Sequence, residues 1–176
     1  MRLPPWHEEP ISKKHDRESF DCGEAALNDF LRQHARKSHD AGGAKTFLAV
    51  DDKDGKNVLG FYSLSPASVE YARTPDIVKH GLGRYDVPGF RLVRLAVAKP
   101  FQGQGLGGQL LLAAGRRCIR AADEVGGVVL VIDAKNESVA KWYAGYGAVP
   151  LNDAPLTLLL PLATIAQALK ATGHEE

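Results

Sequence analysis

Little in this sequence points to metal, disulfide or membrane chemistry. Only two cysteines occur, Cys22 and Cys118, far apart and with neither a C-x-x-C pair nor a histidine cluster beside them. A disulfide framework is therefore excluded, no metal site is expected, and both thiols read as reduced. No apolar run approaches the ~18 residues of a membrane-spanning helix. Met1 to Pro10 also lacks an apolar core followed by a small-residue cleavage site, so a cytoplasmic chain without membrane contact is expected. An excess of charge of one sign is missing too. With 22 Lys and Arg against 21 Asp and Glu the formal net charge is +1, which excludes a strongly basic nucleic-acid-binding domain and leaves any such role to local charge. There is no internal repeat, low-complexity tract or linker. At 176 residues the chain is expected to form one domain over 1–176.

The stretch around which the rest is organised runs from Arg94 to Leu112. An apolar, strand-like run, Leu95-Ala96-Val97, stops at Pro100, a glycine-rich turn follows, and a Leu/Ala-rich helical pattern takes over at once. Gly103, Gly105, Gly107 and Gly108 fall within six residues. They let the backbone approach a ligand closely and turn successive N–H groups into one concavity. Because the helix begins inside the turn, its first amides and the positive end of its dipole face the same point, a seat for a pyrophosphate. A dinucleotide fingerprint belongs soon after the first strand of its fold, whereas this turn lies past residue 100, and G-x-x-x-x-G-K-[ST] is absent. A glycine-rich connection with no ligand is the competing explanation.

Elsewhere the pattern is that of a mixed α/β chain. Asp21 is a candidate N-cap with Glu24 as its capping-box partner. Leu27, Phe30, Leu31 and Ala35 then recur at helical spacing to about Asp40. The opposite face carries Arg32, Arg36 and Lys37, either a solvated face or a set of phosphate contacts. Thr46 to Val50 and Val58 to Leu64 read as a hairpin joined at Asp51–Gly55, and Val69 to Phe90 reads mostly as loop, with Asp76–His80 as a short helix. A helix from Gly107 to about Glu124 buries Leu110, Leu111, Ala114, Cys118 and Ala121, and Val128–Ile132 reads as a strand buried on both faces. Strand, turn, helix and strand make a βαβ unit. Asp133–Ser138 leads into a helix ending at Gly145, and Leu156–Leu160 with Ala163–Leu169 closes the chain as strand and helix.

The turn Gln102-x-x-Gly105-x-Gly107 behind Arg94-Leu95-Ala96-Val97 resembles the acetyl-CoA loop of the GNAT acetyltransferases. Phe20-Asp21-Cys22-Gly23, Leu27-Asn28-x-Phe30-Leu31, Ala35, Gly43-Ala44-Lys45-Thr46 and Leu158-Leu159-Leu160-Pro161-Leu162 resemble a narrower group, the bacterial toxins that acetylate the amino group of charged tRNA. Arg73 to Phe90 has no counterpart that aligns.

The resemblance implies a single GNAT-like α/β (α+β) domain with a mixed sheet of six or seven strands flanked by helices. It implies acetyl-CoA as co-substrate on Leu95, Ala96, Val97, Gln102, Gly103, Gln104, Gly105, Leu106, Gly107, Gly108, Asn136 and Tyr143. Tyr143 would act as catalytic proton donor, with Tyr146 as its rival. Charged tRNA would meet Arg32, Arg36, Lys37, Lys45, Arg91 and Arg94, and the partners implied are a second copy in a homodimer and a ribbon-helix-helix antitoxin. The alternatives are acetylation of a small-molecule amine or protein amino group, and a non-catalytic acyl-CoA-binding module.

Overall fold

A computed structural model describes residues Met1–Gly173. Seven strands, β1 (Trp6–Pro10), β2 (Lys45–Asp51), β3 (Val58–Val69), β4 (Val87–Val97), β5 (Val129–Asp133), β6 (Val149–Pro150) and β7 (Thr157–Pro161), form one mixed sheet in the order β1-β2-β3-β4-β5-β7-β6. The pairs β1/β2, β2/β3, β5/β7 and β6/β7 are antiparallel. β4 and β5 are parallel, with Gly89 opposite Val129 and Leu92 opposite Ile132. The flanking helices are α1 (Ala25–Asp29), α2 (Ala35–Asp40), α3 (Asp76–Lys79), α4 (Leu106–Val125), α5 (Glu137–Ala144) and α6 (Leu162–Ala171), and a π turn, Phe30–His34, joins α1 to α2.

The chain divides into two compact units, one of Met1–Ser65 with Val93–Leu111, the other of Pro66–Leu92 with the chain from Leu112 onward. In the first, Phe61 is fully buried. Its ring meets Phe20 edge-on at 5.5 Å and Phe30 in a stack at 6.2 Å. In the second, Val69, Val87, Val129, Val131, Leu151 and Leu159 form a buried cluster. Cys118 is buried there and its thiol is pushed up to about 12 by burial, which keeps it protonated and unreactive.

Four elements differ from the sequence expectation. The helix expected to start at Asp21 begins at Ala25 with Glu24 at the N-cap, and no side chain caps it. Asp21 instead accepts from the Gly23 N–H at 2.8 Å and from Asn28 Nδ2 at 3.0 Å, because Gly23 at φ +92° turns the chain away from the helix. β1 was hidden in a polar stretch, since an edge strand places charged side chains in contacts that leave no apolar alternation. Glu8 accepts from the Tyr62 hydroxyl at 2.6 Å, and Glu9 meets Lys14 at 2.7 Å and His15 at 3.0 Å. β4 begins at Val87, through the Pro88-Gly89 pair that reads as a loop. Glycine is required there because a Cβ on Gly89 would stand 2.2 Å from the Val129 carbonyl oxygen of the parallel neighbour. β6 is two residues long, too short for any periodicity.

Candidate active site

In the first unit, β4 ends at Val97 and a 3-10 turn, Lys99–Phe101, leads into the exposed residues Gln102–Gly105 before α4 starts at Leu106. Leu95 and Val97 are half-buried and Ala96 is buried, the alternation of a strand with one face available. Leu106 and Leu110 are buried and lie close to Gly60, which seats the first turn of α4 and fixes where its amides point. Gly103 and Gly105 have φ of +76° and +86°, and a Cβ on either would meet nothing within 4 Å. The turn therefore adopts a conformation that favours glycine and leaves empty space in front of its backbone, beside the unpaired first amides of α4. Those features fit a pyrophosphate bound by N–H groups.

The two glutamines of the turn act as braces. Gln102 Nε2 donates to the Cys22 carbonyl at 2.9 Å and to the Val97 carbonyl at 2.8 Å. Gln104 accepts from the Leu3 N–H at 2.6 Å and donates to the carbonyls of Met1 at 2.6 Å and Pro100 at 3.1 Å. The Phe20–Gly23 loop is the counterpart of this latch. Lys99 N–H donates to the Asp21 carbonyl at 2.9 Å, and Cys22 N–H donates to Asn28 Oδ1 at 2.9 Å. Arg32 holds the same loop by donating to the Phe20 carbonyl at 2.5 Å. Sequence reasoning missed this latch, although the Asp21, Cys22, Asn28 and Gln102 that build it all lie in the motifs that carried the family resemblance.

In the second unit, Asn136 is the N-cap of α5, accepting from the Val139 N–H at 2.9 Å. Tyr143 is buried on that helix and its hydroxyl is raised to about 12 by burial, so it stays protonated as a hydrogen-bond donor throughout the physiological range. Trp142 packs edge-on against both tyrosines, 4.9 Å from Tyr143 and 5.1 Å from Tyr146, and keeps 39% exposure. The turn lies in the first unit and both Asn136 and Tyr143 in the second.

Arg32, Arg36, Lys37, Lys45 and Arg94 belong to the first unit and Arg91 to the second. Arg32 is spent on the Phe20 carbonyl. Lys45 Nζ donates to the His39 carbonyl at 2.8 Å, and Arg94 lies over the Phe30 ring at 4.9 Å. Arg91 is ion-paired with Asp133. Lys37 is exposed and Arg36 half-buried.

A strand, a glycine turn at a helix N-terminus and a second strand parallel to the first are the frame on which an acyl-CoA sits in one large enzyme family. The model of that family, described as the acetyltransferase (GNAT) family, matches residues 5–148. The chain belongs to the GNAT acetyltransferase family. Among its GNAT relatives, the tRNA-acetylating toxin of Mycobacterium tuberculosis (strain ATCC 25618 / H37Rv) is 37% identical over 150 residues, covering 85% of this chain and 88% of the relative. The structure of AtaT complexed with acetyl-methionyl-tRNAfMet superposes with a TM-score of 0.86 at 28% identity, over 94% of this chain and 99% of that one. A mutant AtaT toxin bound to the C-terminus of the antitoxin AtaR and acetyl-CoA gives 0.79 at 27% identity, over 93% and 98%.

Proposed function

We propose that this GNAT enzyme transfers the acetyl group of acetyl-CoA to the α-amino group of aminoacyl-tRNA and so blocks translation as the toxin of a toxin–antitoxin pair. The observation that carries the reading is the 37% identity over 85% of the chain to a tRNA-acetylating toxin. The open glycine turn supports it. Residues 1–176 are read as one domain, since β3, β4 and α4 each pass through both units.

Acetyl-CoA is the donor substrate, with its pyrophosphate on the backbone amides of Gly103–Gly108 and its pantetheine along Leu95–Val97 and Asn136. Gln102 and Gln104 contribute by holding the turn open. The amine attacks the thioester carbon, a strand amide near Val97 holds the oxyanion, and as the C–S bond breaks the Tyr143 hydroxyl gives its proton to the departing thiolate and regains one from the acylated nitrogen through solvent. A free α-amino group titrates near 7.7–8.0, so an appreciable fraction is neutral at cellular pH without a strong enzymic base. Tyr143 is favoured over Tyr146 because it stands in the Trp142-Tyr143 pair ahead of Gly145, the position that the resemblance implies for the proton donor. Arg36, Lys37 and Arg94 are the basic side chains best placed for phosphate. The chain works as a homodimer, and a ribbon-helix-helix antitoxin closes its site with a C-terminal tail, as the antitoxin C-terminus bound to the AtaT mutant suggests.

The test is to incubate the protein with labelled acetyl-CoA and total charged tRNA and to follow the label. Label on the aminoacyl group, with growth arrested on expression without antitoxin, is the expected result. Label only on free small amines with unaffected growth would leave a metabolic acetyltransferase.

A further inference from the structure

The chain meets the glycine turn a second time through its first residues. Gln104, between Gly103 and Gly105, has both ends of its side-chain amide on that segment: Oε1 accepts from the Leu3 N–H and Nε2 donates to the Met1 carbonyl, each at 2.6 Å. The main chain of Arg2 therefore lies against the turn, within the first unit. This strap is held at its other end too, where the Asp52 N–H donates to the Pro5 carbonyl at 3.0 Å, and Pro4 and Pro5 fix their own φ between the two anchors. Arg2 is exposed, and among the described residues its side chain has no hydrogen bond or ion pair. Asp52, which shares a groove with Arg2, is engaged by His7 Nδ1 at 2.5 Å. The turn itself supplies no cation. Residues 102–115 contain no Lys or Arg, and Lys99, just before them, lies 3.4 Å from the Asp21 carboxylate. The matched family model begins at residue 5, so Met1–Leu3 lie outside it.

We propose that Arg2 is a binding residue for acetyl-CoA, placed by Gln104 so that its guanidinium pairs with the phosphates seated on the turn. The inference rests on the turn as the seat of acetyl-CoA and is independent of the acceptor. A helix N-terminus meets phosphate with partial charge only, whereas a guanidinium adds a full charge and paired N–H donors that match phosphate oxygens. An arginine side chain is longer than the glutamine side chain that ties its main chain, so from this anchor it spans the distance back to the turn. Because the strap is fastened at both ends, little ordering cost remains when the ligand binds. Gln104 is the positioning residue. Its side-chain amide is fully used on Leu3, Met1 and Pro100, so it acts on the phosphates through Arg2.

The experiment is calorimetry of acetyl-CoA binding to the full chain and its variants. At low salt, Arg2→Gln should weaken binding by ~10-fold, the low end for a hydrogen bond to a charged group. Arg2→Lys keeps the charge and should lose less than about threefold. The deficit of Arg2→Gln should shrink to within about twofold of wild type at ~1 M salt, where the Debye length is ~3 Å. Gln104→Ala should weaken binding at least as much as Arg2→Gln. In that background Arg2→Gln should cost less than about twofold more, because two residues that act through one contact are not additive. Both residues are exposed, so every variant should stay folded, which thermal melting checks. An Arg2→Gln variant that binds as tightly as wild type at low salt overturns the proposal while the turn stays the seat, and so does a loss as large in the Gln104→Ala background as alone. A wild type that binds no acetyl-CoA, or a Gly105→Trp variant that binds it equally well, overturns both.

Discussion

Glycine stands at Gly105 and at Gly89 for opposite reasons. At Gly89 the place of a Cβ is taken, 2.2 Å from the Val129 carbonyl oxygen, whereas at Gly105 the same construction meets nothing within 4 Å and the backbone stands at φ +86°. One glycine lets two strands approach, and the other keeps a turn open toward space that the chain itself does not fill. The first kind reports packing. The second, repeated at Gly103 and set before a 20-residue helix, leaves room at the turn that the proposed acetyl-CoA seat requires.

The largest stability effect should come from closing the packed position. Gly89→Ala drives a methyl into main chain that cannot swing aside, so it should cost ~3 kcal/mol, the upper end of ordinary overpacking, and lower the melting temperature by roughly 6–12 °C for a chain of this size. Thermal melting that leaves Gly89→Ala within two degrees of wild type would break the contrast. Tyr143→Phe should lie at the other pole, with turnover reduced by ~10²-fold, the size typical of losing a positioned acid, and calorimetric affinity for acetyl-CoA unchanged. Near-wild-type turnover would pass the role to Tyr146 or to water. Gly115→Ala is an intermediate case. Its Cβ would stand 2.5 Å from Ile165 Cγ2, a side chain that can yield in part, so a loss of ~1–2 kcal/mol is expected, and a loss above that of Gly89→Ala would contradict the distinction between side-chain and main-chain obstruction.

The pH dependence is a smaller effect with a definite sign. Turnover should rise with pH as the acceptor amine loses its proton and level off above ~8. Tyr143 adds no falling limb in that range, because burial raises its hydroxyl to about 12. The same shift contributes stability that is fully present below pH ~10, the unperturbed tyrosine value, and is lost as pH rises through about 12, since the unfolded chain releases that proton first. A falling limb near pH 9 that vanishes in Tyr143→Phe would contradict this assignment.

The elements with long apolar or glycine-marked patterns were legible in the sequence: the β2/β3 hairpin, the β4–α4–β5 unit and the buried face of α4 with Cys118. The glycine turn was legible as a turn ahead of α4 because four glycines fall within six residues between a strand pattern and a helix pattern. What escaped had no local signature. β1 is polar because its charges pair across an edge, and Asp21 caps nothing because its partner is Asn28. Arg91 read as free for phosphate, whereas the pairing that occupies it, to Asp133, spans 42 residues of sequence.

The central claim, that the open turn seats acetyl-CoA, is tested most directly by calorimetry on Gly105→Ala and Gly105→Trp side by side. Both carry the same φ strain, ~1–3 kcal/mol, so both should melt alike, roughly 2–12 °C below wild type for a chain of this size. Gly105→Ala should retain measurable affinity for acetyl-CoA and Gly105→Trp, whose ring occupies the space in front of the amides, should show none. Equal affinity in the two variants would place the donor elsewhere and contradict the account.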